Sequence, residues 1–133
     1  MLNQDLLHLL NQRVRYINKH LNEQLQKHGL YNAQWSIMYY LYKNGVKTQS
    51  EIMNYFLVNA PTITRTVKRM EENGWISRVA GQDKRERYID LTDEAKKKYK
   101  EIEETVSEHE VVMLANLTTE EKETLLNLLQ KLE

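Results

Sequence analysis

Asn59-Ala60-Pro61-Thr62-Ile63-Thr64-Arg65-Thr66-Val67-Lys68-Arg69-Met70-Glu71-Glu72-Asn73-Gly74 is the stretch on which the fold turns. Ile63, Val67 and Met70 recur at steps of four and three, which is one face of an α-helix. Asn59 brings a side-chain acceptor to the helix start. Pro61 lies in the first turn, where a missing N–H costs nothing. Asn73-Gly74 supplies a left-handed stop. With the apolar stripe turned inward, the outer face presents Thr62, Thr64, Arg65, Lys68 and Arg69. Hydroxyls and basic heads suit phosphate oxygens and base edges, and the free N–H groups of a first turn favour phosphate.

Upstream, Thr48 and Glu51 stand at capping-box spacing and open a short helix with Ile52 and Phe56 inside. Leu57-Val58 leaves room only for a tight turn, so the pair reads as helix-turn-helix. Such patterns recur by chance, and a basic helix face is as often simply solvated. Downstream residues shift the balance. Trp75–Val79 and Arg87–Leu91 are β-rich runs joined by a polar tip containing Gly81, a hairpin in the place of a wing. An isolated hairpin is marginal in water, so this one must pack on the helices. Its tip and second strand carry Lys84, Arg85 and Arg87, suited to the negative potential of a minor groove. Asp83 beside them reads as the carboxylate that aims Arg85, or as an ordinary exposed ion pair.

The flanks are helical. Leu6, Leu10, Val14, Ile17, Leu21 and Leu25 form one stripe of a helix over about residues 4–27, widened by Leu2, Leu7 and Leu9 and stopped at His28-Gly29. A second helix is expected over about 33–43, capped by Asn32 and bearing Trp35, Ile37, Met38 and Leu41. After Thr92, the residues Ala95, Tyr99, Ile102, Val106, His109 and Met113 make a heptad-like seam. A last helix begins at Thr118/Thr119 and carries Leu125, Leu128, Leu129 and Leu132. Leucine-rich helices at both ends would expose apolar surface in a monomer, which predicts a symmetric dimer through the termini.

Composition narrows the classes. A chain of 133 residues predicts one domain, and 41% hydrophobic with 29% charged residues excludes a disordered one. Absence of cysteine excludes disulfides, Cys-ligated metal and a thiol switch within this sequence. Met1 runs directly into Asn3, Gln4 and Asp5, and no apolar run approaches a membrane span, so the expected compartment is the cytoplasm. Formal net charge is zero, yet residues 1–92 carry 13 Lys/Arg against 8 Asp/Glu, and residues 93–133 carry 6 against 11. That asymmetry predicts a basic working surface and an acidic remainder.

These residues resemble the MarR (multiple antibiotic resistance regulator) family of winged-helix transcription factors along essentially the whole chain. Thr48-Gln49-Ser50-Glu51-Ile52 is similar to the opening of the family's first motif helix, and Asn59–Arg65 to the start of its recognition helix. Met70-Glu71-Glu72-Asn73-Gly74-Trp75-Ile76 resembles the exit into the wing. Most specific is Asp83-Lys84-Arg85, a D-x-R wing motif, with Leu91-Thr92 six and seven residues past the arginine. The resemblance implies a homodimer on a pseudo-palindromic operator, with recognition helices in successive major grooves and the wing arginine in a minor groove. It further implies repression relieved by a small phenolic or anionic effector bound between the DNA lobe and the dimer helices. Thr66 stands where the family usually has an aliphatic residue, and the cysteine of the peroxide-sensing branch is missing.

The expected fold is therefore mainly α with a small β-hairpin wing: a single domain over 1–133, with a winged helix-turn-helix core at 30–92 and dimerisation helices at 1–28 and 93–133. Thr62, Thr64 and Arg65 are the expected base readers. Ser50, Lys68, Arg69 and Lys84 are the expected phosphate contacts, and Arg85, oriented by Asp83, is assigned to the minor groove. His8, Arg15, Trp35 and Tyr39 are the candidate effector pocket, an aromatic wall with a cation, although aromatics at helical spacing more often build core. His109, on the apolar seam, reads as a pH-sensitive group, a metal ligand or a satisfied interface histidine. His109-Glu110 opens like a zinc-protease helix but has Met113 where the second histidine belongs. No metal, cofactor or enzymatic motif is expected. The rival function is a winged-helix dimer that binds another protein, and a plain coiled-coil adaptor is disfavoured by the wing.

Overall fold

The computed structural model describes residues 1–81 and 87–133. Helix α1 (Leu2–Leu25) ends in a 3-10 turn (Gln26–His28), followed by α2 (Asn32–Asn44), β1 (Lys47–Thr48), α3 (Gln49–Phe56) and α4 (Ala60–Glu72). Strands β2 (Ile76–Ala80) and β3 (Arg87–Leu91), then α5 (Asp93–Met113) and α6 (Thr119–Leu129), complete the chain.

Capping residues set most of these boundaries as expected. Thr48 Oγ1 accepts the Glu51 N–H at 3.1 Å, and Glu51 Oε1 accepts the Thr48 N–H at 3.3 Å. Asn59 Oδ1 accepts the Thr62 N–H at 3.0 Å. Gly74 closes α4 at φ 82°. Helix α2 differs from expectation: Asn32 is its first residue rather than its cap. The Asn32 N–H donates to Asn22 Oδ1 of α1 at 2.7 Å, while the Tyr31 N–H donates to Gln34 Oε1 at 3.0 Å. A neighbouring helix thus supplies the acceptor that sequence reading sought locally.

The antiparallel sheet has three strands in the order β1-β3-β2, with Arg78 opposite Ile89 and Ile76 opposite Leu91. Strand β1, which pairs Lys47 with Ile89 and Thr48 with Tyr88, was not expected, because two residues are too few to show a period. It makes β3 the central strand, and Ile89 is fully buried. Thr92 locks this sheet to the next helix. Its hydroxyl donates to the Gly74 carbonyl at 2.7 Å and accepts the Ala95 N–H at 3.1 Å.

The core joins Leu25, Leu30, Met38 and Leu41 to Ile52, Ile63, Val67, Met70, Ile76 and Ile89. Ala95, Tyr99, Ile102 and Val106 belong to the same cluster, so the seam of α5 is buried within the chain over most of its length. The Tyr99 ring lies between Tyr42 (3.7 Å between centroids, 7° between planes) and Trp35 (5.3 Å). Unpartnered apolar surface remains elsewhere, at Leu2, Leu6, Leu7 and Leu9 of α1 and at Leu125, Leu126, Leu128 and Leu129 of α6.

Helices α1 and α5 run antiparallel, since His20 meets His109 while the later His28 meets the earlier Thr105. His20 and His109 stack at 5.0 Å with their Nδ1 atoms 2.8 Å apart, so one ring donates and the other accepts. His109 is 4% exposed, and among the described residues no carboxylate bridges either ring. Burial, and then the neighbouring His20, hold the His109 imidazole below its ordinary value of 6.5. The unfolded chain therefore takes up this proton first. The stability it confers is full above 6.5 and is lost as pH falls through the lower folded value. Thermal melts of the wild type should show this loss as pH falls below 6.5, with a flatter profile for His109→Gln; equal slopes would remove His109 from the cause.

Candidate nucleic-acid interface

Helix α4 has two faces. Ile63, Val67 and Met70 are buried, whereas Thr64, Arg65, Lys68 and Arg69 are exposed and Thr62 is half-buried. Among the described residues Arg65, Lys68 and Arg69 have no ion-pair partner. Two nearby acids are engaged elsewhere, Glu71 with Arg78 at 3.4 Å and Glu51 with Lys47 at 3.5 Å, while Glu72 lies exposed at the end of α4. Hydrogen bonding from the Thr48 N–H holds the Glu51 carboxyl below its usual value and keeps it ionised in its capping role. The cationic face of α4 thus keeps its charge available to a polyanion.

Ser50 is exposed in the first turn of α3. Next to it, Gln49 Nε2 donates to Thr64 Oγ1 at 2.9 Å, linking the two helices of the motif. Sequence reading missed Gln49. Its only signal is its place at the start of α3, and contact with a residue 15 positions away is a tertiary fact. Thr66 turns back on its own helix, its hydroxyl donating to the Thr62 carbonyl at 3.0 Å. Asp83, Lys84 and Arg85 lie outside the described residues. The strands that lead to them are in place, with Arg87 exposed at the start of β3.

The candidate effector residues divide. Trp35 and Tyr39, 6.1 Å apart, line a cavity of about 390 Å³ between α2 and α5, together with Lys43, Glu103, Val106, Ser107 and Glu110. His8 and Arg15 do not join them; they are exposed on α1 and absent from the lining. The antiparallel pairing explains this. Beyond the His20–His109 contact α1 runs on toward and past the C-terminal end of α5, which carries His8 and Arg15 away from the stretch Glu103–Glu110 that lines the cavity. Nearby, the Tyr99 hydroxyl is buried without a hydrogen-bond partner among the described residues. Burial, and then the Glu103 charge, push its pKa up and keep the phenol neutral. A second cavity, of about 380 Å³, lies between the start of α2 and the flank of α4, lined by Tyr31, Ala33, Gln34, Thr62, Arg65, Thr66 and Arg69. Among the described residues no group of three or more His, Cys, Asp or Glu is placed to hold a metal ion, and no helix is long and apolar enough to cross a membrane.

Comparison with known proteins agrees with this geometry. Residues 30–86 match the sequence model of the MarR family. The uncharacterized HTH-type transcriptional regulator YwoH of Bacillus subtilis is 50% identical over 121 residues, covering 91% of this chain and 88% of its own. A mutant of MarR from E. coli, crystallised in complex with operator DNA, superposes with a TM-score of 0.89 at 25% identity, covering 96% of this chain and 92% of that one. The DNA-free wild-type MarR from E. coli superposes with a TM-score of 0.78 at the same identity, with 93% of each chain covered. A probable transcriptional regulator from Pseudomonas aeruginosa gives 0.89 at 25% identity, with both chains covered completely.

The Asn59 cap sets where the polar face of α4 begins. Asn59→Ala should cost about 1 kcal/mol of stability and fray the turn that carries Thr62. Urea denaturation checks the first effect and amide exchange at Thr62 the second.

Proposed function

Because the chain belongs to the MarR family of transcriptional regulators, we propose that it is a cytoplasmic repressor that binds a pseudo-palindromic operator as a homodimer and releases it when a small aromatic or anionic effector binds. One observation carries the reading: α4 buries Ile63, Val67 and Met70 and leaves Arg65, Lys68 and Arg69, without ion-pair partners among the described residues, facing solvent beside Thr64. In this reading Thr62, Thr64 and Arg65 contact base edges in the major groove. Ser50, Lys68, Arg69 and Lys84 contact phosphate, and Arg85, aimed by Asp83, enters the minor groove.

The exposed leucines of α1 and α6 support the dimer, since surface of that extent at both ends of one chain favours association. Two-fold symmetry would then match the two halves of the operator. The cavity at Trp35 and Tyr39 supports an effector site. It is bounded by α5, which follows directly from β3, so an occupant is placed to bias how the DNA-reading elements sit against that helix. Release requires a ligand that prefers the arrangement unable to bind DNA.

Fluorescence titration against the chain's own promoter and a scrambled duplex, at two salt concentrations, tests the proposal. Expected are a marked preference for the promoter and a steep fall of affinity with salt, as phosphate contacts release counterions. Arg65→Ala should cost about 1–3 kcal/mol and relax preference at one base pair. Arg85→Ala should weaken operator binding on the same scale while the dimer persists. Weak binding that is equal on both duplexes, together with capture of a protein partner, would favour the protein-binding module instead.

A further inference from the structure

A threonine hydroxyl has one proton to donate and two lone pairs to accept with. Inside a helix that proton usually goes to the carbonyl one turn back, as Thr66 does with Thr62 at 3.0 Å and Thr124 with Glu120 at 3.0 Å. Thr64, in the second turn of α4, makes no such bond among the described residues. It accepts one instead, from Gln49 Nε2 of α3 at 2.9 Å. One lone pair of Thr64 is therefore occupied and its proton is uncommitted, on a hydroxyl that faces solvent beside Arg65 and Lys68.

Gln49 has no other task in the described residues. The start of α3 is capped by Thr48 and Glu51, and the start of α4 by Asn59. Neither Gln49 nor Thr64 belongs to the core cluster. What the contact does accomplish is directional, because it takes up one of the two lone pairs of Thr64 and leaves the proton free.

We propose that Gln49 is a specificity-determining positioning residue: by donating to Thr64 it takes up one of the hydroxyl's two lone pairs and biases its free proton toward a base edge that presents an acceptor. In the major groove such edges are guanine N7 and O6, adenine N7 and thymine O4, whereas the cytosine and adenine amino groups have only the one remaining lone pair to meet. The inference rests on the reading above that α4 lies in a major groove.

The experiment compares wild type, Thr64→Val, Gln49→Ala, Gln49→Glu and the double variant Gln49→Ala/Thr64→Val. Each is titrated as the full chain against the wild-type operator and duplexes substituted one base pair at a time. Thr64→Val and Gln49→Ala should flatten preference at the same base pair by roughly 2- to 10-fold, leaving other positions unchanged. The double variant should be no worse than Thr64→Val alone. Gln49→Glu reverses the bond, since a carboxylate only accepts. Thr64 must then donate to it, and preference at that pair should move toward a base presenting an amino group. Repulsion of the added charge from phosphate weakens all duplexes alike and cancels in the ratio.

Flattening by Thr64→Val with no change of preference in either Gln49 variant would overturn the role of Gln49 while leaving the DNA reading intact. No positional effect from Thr64→Val would also overturn it. A wild type without any sequence preference would overturn the reading on which it rests. Unchanged melting temperatures in the Gln49 variants are part of the expected result, and a preference that drifts at every position together with lost stability would mark Gln49 as merely structural.

Discussion

Burial of one stripe of α4 is the constraint from which the rest follows. Ile63, Val67 and Met70 are each removed from water, at about 1.5–3 kcal/mol per side chain. Because a helix is rigid about its axis, fixing that stripe also fixes the azimuth of Thr64, Arg65, Lys68 and Arg69. The direction of the polar face is therefore set by the helix as a whole, and the Gln49 bond acts only on the Thr64 side chain. Rotating that face toward the core would bury unpaired guanidinium groups, a far larger cost than any gain. The Asn59 cap and the left-handed Leu57 (φ 55°) between α3 and α4 set where this helix starts and at what angle.

The same helix is coupled to the others through a few polar joints. Thr92 ties the Gly74 carbonyl at the end of α4 to the first turn of α5, so the wing base and the long helix move as a unit. At the far end of α5, His20 and His109 close it against α1. Between these joints, Tyr99 is held in an aromatic stack that also forms the floor of the α2–α5 region. The apolar surface left unpaired lies beyond the histidine pair, on the part of α1 that overshoots α5 and on α6. A dimer built there would leave the DNA-reading face of α4 free.

Most of the fold was legible because its signals are local. The stripes of α1 and α4, the capping box at Thr48, and the stops at Gly29 and Gly74 each depend on residues within one or two helical turns. The wing strands were legible for the same reason, off by one residue at β2. Illegible parts depend on distant partners. Strand β1 exists only because β3 offers it a ladder, and the cap of α2 is lent by Asn22. The seam of α5 was readable as an apolar face, but its periodicity was silent on whether the face meets this chain or a second copy. His8 and Arg15 were grouped with Trp35 and Tyr39 by residue chemistry and by the family resemblance, and the antiparallel run of α1 keeps them off the lining of the α2–α5 cavity.

The sequence by itself determined the class of the molecule: where helices begin and end, which faces are apolar, and that a basic hydroxyl-bearing helix precedes a hairpin. Those properties follow from backbone sterics and side-chain solvation acting over a few residues. Only the tertiary structure decided which faces meet. Burial put the α5 seam into the core, brought His20 to His109, and placed Gln49 against Thr64 across the turn. Which pair of apolar surfaces leaves water together is a property of the whole chain, because the free energy of burial is shared among segments that the sequence keeps apart.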